Sequence, residues 1–343
     1  MKRFILLALA FSLNALLACS SLQNPTAVET DEALEHFEAP EPLSKEEAAR
    51  LNALLEDLRR RAAERRIKLA KRTPAQMALH GSKITVPDDY PTIQEAVDAA
   101  APGTKIKIKT GTYAGDVIVV ADDIELTCEG EVTVDGTIYY QGVSDGSINK
   151  LTLETGLGIW LDEAEDVEVE DNIFGATEYG VHLINSANCQ IKGNLIENAE
   201  FGVYADEGDG GHRIEENTMI SARFGVYLSA AGEDNEISGN SIAYTGSARG
   251  LGITLDETDH SLVKDNVILD QTNTWAVFLT SAANNKVGSD NQLNNNLVGV
   301  IIQNSFDNLI KKNEITGNGN CDIVQASGSN TFKKNEADCT LGL

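Results

Sequence analysis

The chain has 343 residues, with 27 Lys+Arg against 53 Asp+Glu and a formal net charge of −26. At 42% hydrophobic it is too apolar for a wholly disordered protein, and past the N-terminus no apolar run approaches the roughly 20 residues that span a bilayer. So negative a surface repels phosphates, which argues against nucleic acid as a partner and against unaided capture of anionic polymers.

Lys2 and Arg3 precede an apolar stretch, Phe4 to Leu17, that ends Leu16-Leu17-Ala18-Cys19. Residues 1–18 read as an export signal and stand outside the fold. The ending resembles the bacterial lipobox, which implies a lipidated Cys19 and a lipid-anchored protein of the cell envelope. Ser20 rather than Asp follows, and the resemblance then implies the outer membrane. Residues 19–43, with Pro25, Pro40 and Pro42, read as a flexible tether.

Ser44-Lys45-Glu46-Glu47 is a capping box, and Leu51, Leu54, Leu55, Leu58 and Ala62 follow at helical spacing. These predict a basic amphipathic helix over 44–72, ending before Pro74. Residues 45–72 carry ten Lys/Arg and five Asp/Glu, unlike the acidic chain that follows. Such a helix could dock on the acidic body through its Leu stripe, sit on anionic headgroups beside the anchor, or stand as a solvated stalk or coiled-coil partner.

Residues 84–118 supply the cap of a domain that runs over 84–343. Thr92 and Glu95 form a second capping box, Ile93, Ala96, Val97 and Ala100 make one apolar face, and Lys105 to Lys109 alternates as a strand.

From residue 157 the chain repeats itself. Leu157-Gly158-Ile159-Trp160-Leu161 recurs as Tyr179-Gly180-Val181-His182-Leu183, then at Phe201, Phe224, Leu251, Trp275 and Val298. Steps along the glycine column are 22, 22, 23, 27, 24 and 23 residues, with Ala276 replacing glycine once. A second track ends in asparagine: Asn172, Asn194, Asn217, Asn240, Asn266, Asn313 and Asn335. A period near 23 predicts one coil of a parallel β-solenoid, stacked about 4.8 Å from the next. Asn is expected there because it tolerates left-handed backbone angles and because stacked amides bond from coil to coil.

The segment Tyr90-Pro91-Thr92-Ile93-Gln94-Glu95-Ala96-Val97 with Ile106 to Tyr113 resembles the N-terminal cap of the pectin-lyase-like superfamily. The repeats are similar to NosD-type and to carbohydrate-binding, sugar-hydrolase-type β-helix repeats. The likeness spans about residues 84–339 and implies an all-β fold, a right-handed parallel β-helix. It implies no single activity: Thr258-Asp259-His260-Ser261 is only a distant echo of the Asp-Pro-His-Asp motif of alginate epimerases.

Strand alternation from an inward Val181 and Leu183 predicts three outer columns. One is aromatic-rich: Trp160, His182, Tyr204, Tyr227, Thr254 and Phe278. The middle one is the glycines, and the third holds Glu178, Glu200 and Arg223. A glycine floor between an aromatic and a charged wall suits a polysaccharide, with Trp160, His182, Tyr204, Tyr227 and Phe278 as the stacking residues. The same stripe could instead stiffen the sheet or receive the helix. Glu178 and Glu200 with Arg223 are the candidate catalytic groups for lyase or epimerase chemistry on a uronate, against a plain surface ladder of charges.

Cys321 and Cys339 are expected to form a terminal disulfide, while Cys128 and Cys189 read as core positions. No Cys/His cluster suggests a metal site. The turns Asp206-Glu207-Gly208-Asp209 and Asp256-Glu257-Thr258-Asp259 could take Ca²⁺ but read first as solvated.

Overall fold

The computed structural model describes residues 44–73 and 83–342, so Cys19, the leader and the tether lie outside the described residues. Helix α1 spans Lys45–Ala70. Its capping box is formed: the Ser44 hydroxyl accepts from the Glu47 amide at 3.2 Å, and the Ser44 amide donates to the Glu47 carboxylate at 2.9 Å. Helix α2, Ile93–Ala99, starts where the Thr92 hydroxyl accepts from the Glu95 amide at 3.1 Å. Its buried face of Ile93, Ala96 and Val97 closes the first coil, beside Ile84, Val86, Ile106 and Ile108.

The rest is a stack of parallel coils. The strand Lys83–Val86 pairs in parallel with Lys105–Ala114, placing Ile84 beside Ile106. An 11-stranded parallel sheet runs the length of the stack, beginning at Val117–Val119 and ending at Thr340–Leu341. In its middle lie Tyr179–Ala187, Phe201–Gly210, Phe224–Ser229, Gly250–Asp256 and Thr274–Thr280, each paired with the next. Two further ladders close each coil, one through Ile191, Ile214 and Ile237, the other through Ile196, Met219 and Ile242. Backbone groups that an isolated coil would leave open are satisfied by the coils above and below.

The core is the column of inward residues. Val181, Leu183, Val203, Ala205, Val226 and Leu228 from the long sheet meet the isoleucines of the other two faces. Cys189 is buried in that core and Cys128 is half-buried against it; burial pushes both thiols up to about 12, so neither is a ready nucleophile.

The asparagine column works differently from one of the two expectations. The left-handed residue is the one before each Asn: Asp171, Gly193, Glu216, Gly239 and Asp265 have φ between 55° and 66°. The Asn side chains turn inward and are buried, where each coil's amide N–H and side-chain amide donate to the Oδ1 of the next coil's Asn. Amide stacking alone accounts for the residue type. Cys321 and Cys339 are bonded, tying the last coils together at a Cα separation of 5.2 Å.

Candidate functional site

The outward side of the long sheet carries two adjacent ring columns, not one. Tyr179, Phe201 and Phe224 stack at centroid distances of 5.2 and 4.8 Å. Beside them His182 stacks on Tyr204 at 4.8 Å, and Tyr204 meets Tyr227 edge-on at 5.7 Å. Trp160 meets His182 edge-on at 4.8 Å at one end, and Trp275 meets Phe278 at 5.4 Å at the other. The five rings predicted as a stacking column are therefore brought to one face. Tyr179, Phe201, Phe224 and Trp275 were missed as site residues because strict alternation puts them inside.

That reading fails at the glycines. The ladder registers Tyr179 with Phe201 and resumes at Val181 with Val203, skipping Gly180 and Gly202. The strand bends there, so the residue before each glycine faces out and the glycine faces the core. A Cβ on Gly202 would lie 2.5 Å from the Gly225 carbonyl oxygen and 2.6 Å from the Met219 sulfur. Glycine is required by this close approach, and the predicted glycine floor does not exist.

The face is not open. Tyr204 and Tyr227 are only 9% and 7% exposed, and Phe278 is 3% exposed. Helix α1 lies across the first coils of the sheet with Leu51, Leu58 and Ala62 in one apolar cluster with Tyr139, Trp160 and Tyr179. Of the three readings open for the helix, docking on the acidic body is the one observed.

Arginines fasten it, climbing the stack toward the helix N-terminus. Arg72 donates to the Asp98 carbonyl at 3.1 Å and the Ala100 carbonyl at 2.8 Å, with a further bond to Ala99, at the C-terminal end of α2, where the helix dipole favours a cation. Arg66 donates to the carbonyls of Gln141 and Gly142. Arg61 pairs with Asp116 at 2.6 Å. Arg59 grips Asp162 with both arms, Nε to Oδ2 at 2.6 Å and NH2 to Oδ1 at 2.7 Å, and Tyr139 donates its hydroxyl to the same carboxylate. Asp162 is 0% exposed, so Arg59 neutralises an otherwise isolated buried charge and is itself held more firmly protonated. Arg50 pairs with Glu178 at 3.0 Å.

The predicted catalytic trio is thereby placed but not assembled. Glu178 is paired to Arg50 of α1, whereas Glu200 is paired to Arg223 at 2.7 Å. The two carboxylates sit on neighbouring coils, each with its own guanidinium, at the rim of the ring columns. Arg223 also lies 4.7 Å from the centre of the Phe224 ring, and Arg249 lies 5.1 Å from that of Trp275.

Several polar atoms of the covered face have no hydrogen-bond partner among the described residues: both ring nitrogens of His182, the Tyr179 hydroxyl and the Thr254 hydroxyl. Burial presses the His182 imidazole down to about 3. Burial, reinforced by Glu207, pushes Asp206 up to about 6.

These two shifts have opposite consequences for stability. His182 is neutral in the fold, so its contribution is complete above the ordinary histidine range near 6.5 and is lost progressively as pH falls toward 3. Asp206 favours the folded state more as pH falls through 6, because its proton is held there more tightly than in the open chain. His182→Phe removes the first contribution and leaves the second. Urea titrations at pH 7 and pH 4.5 are expected to show the variant losing about 2–3 kcal/mol less than the parent over that interval. Equal losses in both proteins would mean that the imidazole is hydrated in the fold.

Among the described residues no group of three or more His, Cys, Asp or Glu side chains is arranged to hold a metal. The acidic turn at Asp209 opens with Asn188, Glu233 and Asp234 onto a shallow depression of about 410 Å³. His212 is occupied in the structure itself: its Nδ1 accepts from the Cys189 amide at 3.3 Å.

Comparison with known families gives two matches. The family described as "Periplasmic copper-binding protein (NosD)" matches residues 97–255, and that described as "Right handed beta helix region" matches residues 179–337. The chain is a right-handed parallel β-helix. Among the described residues no group of His, Cys, Asp and Glu side chains is arranged to hold copper. No curated protein matches the chain. Among solved structures, it resembles the Azotobacter vinelandii mannuronan C-5 epimerase AlgE4 A-module at 13% identity, covering 71% of this chain and 91% of that one, with a TM-score of 0.47. It also resembles PfbA, a surface adhesin of Streptococcus pneumoniae, at 14% identity, over 76% and 88% of the two chains, with a TM-score of 0.46. The periplasmic alginate epimerase AlgG aligns at 14% identity over 76% and 83%, with a TM-score of 0.43.

Proposed function

We propose that this right-handed β-helix is a lipid-anchored envelope protein that binds a polysaccharide along its outer ring columns, and that α1 lies over those columns in the ligand-free state. One observation carries the reading: the covered face holds donors and acceptors that the described residues leave unused. A surface made only to receive a leucine-striped helix has no use for the His182 nitrogens and the Tyr179 hydroxyl, and burying them unpaired costs about 1–3 kcal/mol each. A sugar chain supplies both partners those atoms lack: C–H faces to stack on the rings and hydroxyls to bond between them. Ring spacings of about 5 Å along the stack give it a continuous track.

The reading is binding rather than turnover. Glu178 and Glu200 are each engaged by a separate arginine, an arrangement that holds charge in place instead of poising a base.

Glycan-array binding by the mature chain is expected to fall at least tenfold in the Tyr204→Ala/Tyr227→Ala variant, with the far-ultraviolet spectrum retained. Undiminished binding would move the glycan off this face. The anchor is read separately, by palmitate labelling that disappears in Cys19→Ser.

A further inference from the structure

A row of carboxylates runs beside the rings. Asp162, Asp206 and Asp256 each lie two residues past Trp160, Tyr204 and Thr254, so strand alternation turns them to the same outward face. The register links them through Ile184 and Ser229, which sets a carboxylate on every second coil, about 10 Å apart. Asp162 is wholly buried, and Asp206 and Asp256 are half-buried. Tyr227 donates its hydroxyl to Asp256 at 3.2 Å. Burial makes Asp206 and Asp256 hold a proton more tightly, Glu207 and Glu257 add to this, and among the described residues no cation offsets it at either. Asp162 differs, because Arg59 of α1 reaches it with both arms. At the opposite rim of the rings Arg50 of α1 meets Glu178 at 3.0 Å. The helix therefore seats a cation on a carboxylate at each rim, while two more carboxylates of the same row stand without one.

We infer that the glycan taken by this face is polycationic, a chain of amino sugars with free ammonium groups, and that α1 presents its arginines where those ammonium groups go. This rests on the reading of the ring face as a glycan site and narrows the ligand. Three classes of chain meet the same surface differently. A uronate chain brings its carboxylates up to Asp162, Asp206, Asp256 and Glu178 on a body that is already strongly acidic, and is repelled. A neutral chain stacks on the rings but, in displacing α1, leaves Asp162 without its guanidinium. An amino-sugar chain stacks its C–H faces on the rings and also gives each carboxylate a charge-assisted hydrogen bond, as Arg59 does now. His182 suits the same ligand. It stands between Trp160 and Tyr204, 7% exposed, with both ring nitrogens unpartnered among the described residues. Burial keeps it neutral, so it accepts a hydrogen bond from an ammonium or a hydroxyl without repelling either. Arg223 does not compete for the ligand's place, since Glu200 already engages it at 2.7 Å.

Calorimetric titration of the mature chain with hexamers of glucosamine, N-acetylglucosamine, glucose and mannuronate tests this. The glucosamine hexamer is expected to bind at least tenfold more tightly than either uncharged hexamer, and the mannuronate hexamer most weakly of the four. Asp206→Asn/Asp256→Asn keeps the side-chain shape and removes the charge. In that variant the preference for glucosamine over N-acetylglucosamine is expected to shrink to about threefold or less, with the far-ultraviolet spectrum retained. Saturating glucosamine hexamer is also expected to accelerate hydrogen exchange of the α1 amides at least tenfold. The inference is overturned if an uncharged or uronate hexamer binds as tightly, if the Asn pair leaves the preference intact, or if α1 exchange does not change. It is likewise overturned if hexalysine binds as tightly as the glucosamine hexamer and both are indifferent to Tyr204→Ala/Tyr227→Ala, because the attraction is then one of charge alone. A glucose or mannuronate hexamer that binds best, and is lost with the two tyrosines, refutes the amino sugar and leaves the glycan reading standing. Binding by none of the four overturns this inference, and the wider glycan array then decides the reading on which it rests.

Discussion

Asn240→Ala is expected to lower the stability of the β-helix by about 4 kcal/mol, read as a shift of the urea midpoint. The side-chain amide of Asn240 donates to the Ile214 carbonyl at 2.8 Å and to Asn266 Oδ1 at 3.0 Å. Its Oδ1 accepts from both the main-chain amide and the side-chain amide of Asn217, each at 3.0 Å. All of this is inside the coil, out of reach of water. Truncation strands a backbone N–H, a backbone carbonyl and a neighbouring amide at once, and each buried orphan costs about 1–3 kcal/mol. The exposed turn residue Asn198, at φ 57°, is the control. There only the tolerance of a left-handed angle is lost, and Asn198→Ala is expected to cost about 1 kcal/mol. Similar costs at both sites would show that the inward ladder contributes nothing beyond its turn.

Arg59→Ala is expected to free α1 while leaving the coils folded. Asp162 is wholly buried and its charge is matched by one guanidinium and the Tyr139 hydroxyl. Taking away the guanidinium leaves a buried carboxylate unmatched. Because Arg59 is itself 39% exposed, water can enter where its head group was, and the cost is set at about 2–3 kcal/mol rather than the full value for a sealed pair. That corresponds to a roughly 30- to 150-fold shift in the docking equilibrium. Hydrogen exchange of the α1 amides is expected to accelerate by that factor, whereas amides of Tyr179–Ala187 and Phe201–Gly210, bonded between coils, keep their protection. If α1 competes with glycan for the ring face, the same variant binds glycan more tightly. An α1 that exchanges no faster would show that the apolar stripe, not the arginine, holds the helix.

Much was legible from residues alone, and the reason is period. A repeat of near-constant length forces residues one coil apart into register, so one of the two ring columns and the asparagine column could be written down before any coordinate. The capping box at Ser44 was equally local: two side chains three residues apart satisfy the amides exposed at a helix start. Likewise Cys321 and Cys339, less than one coil apart in sequence, are joined.

Facing, by contrast, was decided in three dimensions. Alternation assigns Tyr179 to the inside, yet the bend at Gly180 turns it out, because a side chain at that glycine would strike Ile196 and the Gly202 carbonyl. The bend depends on the coil beneath, which no local pattern records. The covering of the ring face was decided the same way. Sequence left α1 three places to go; its basic face and leucine stripe suited each. Only the stack assembles Asp98, Asp116, Asp162 and Glu178, scattered over some eighty positions, into one line of carboxylates that a single helix can meet, and that line is what selects the docked arrangement.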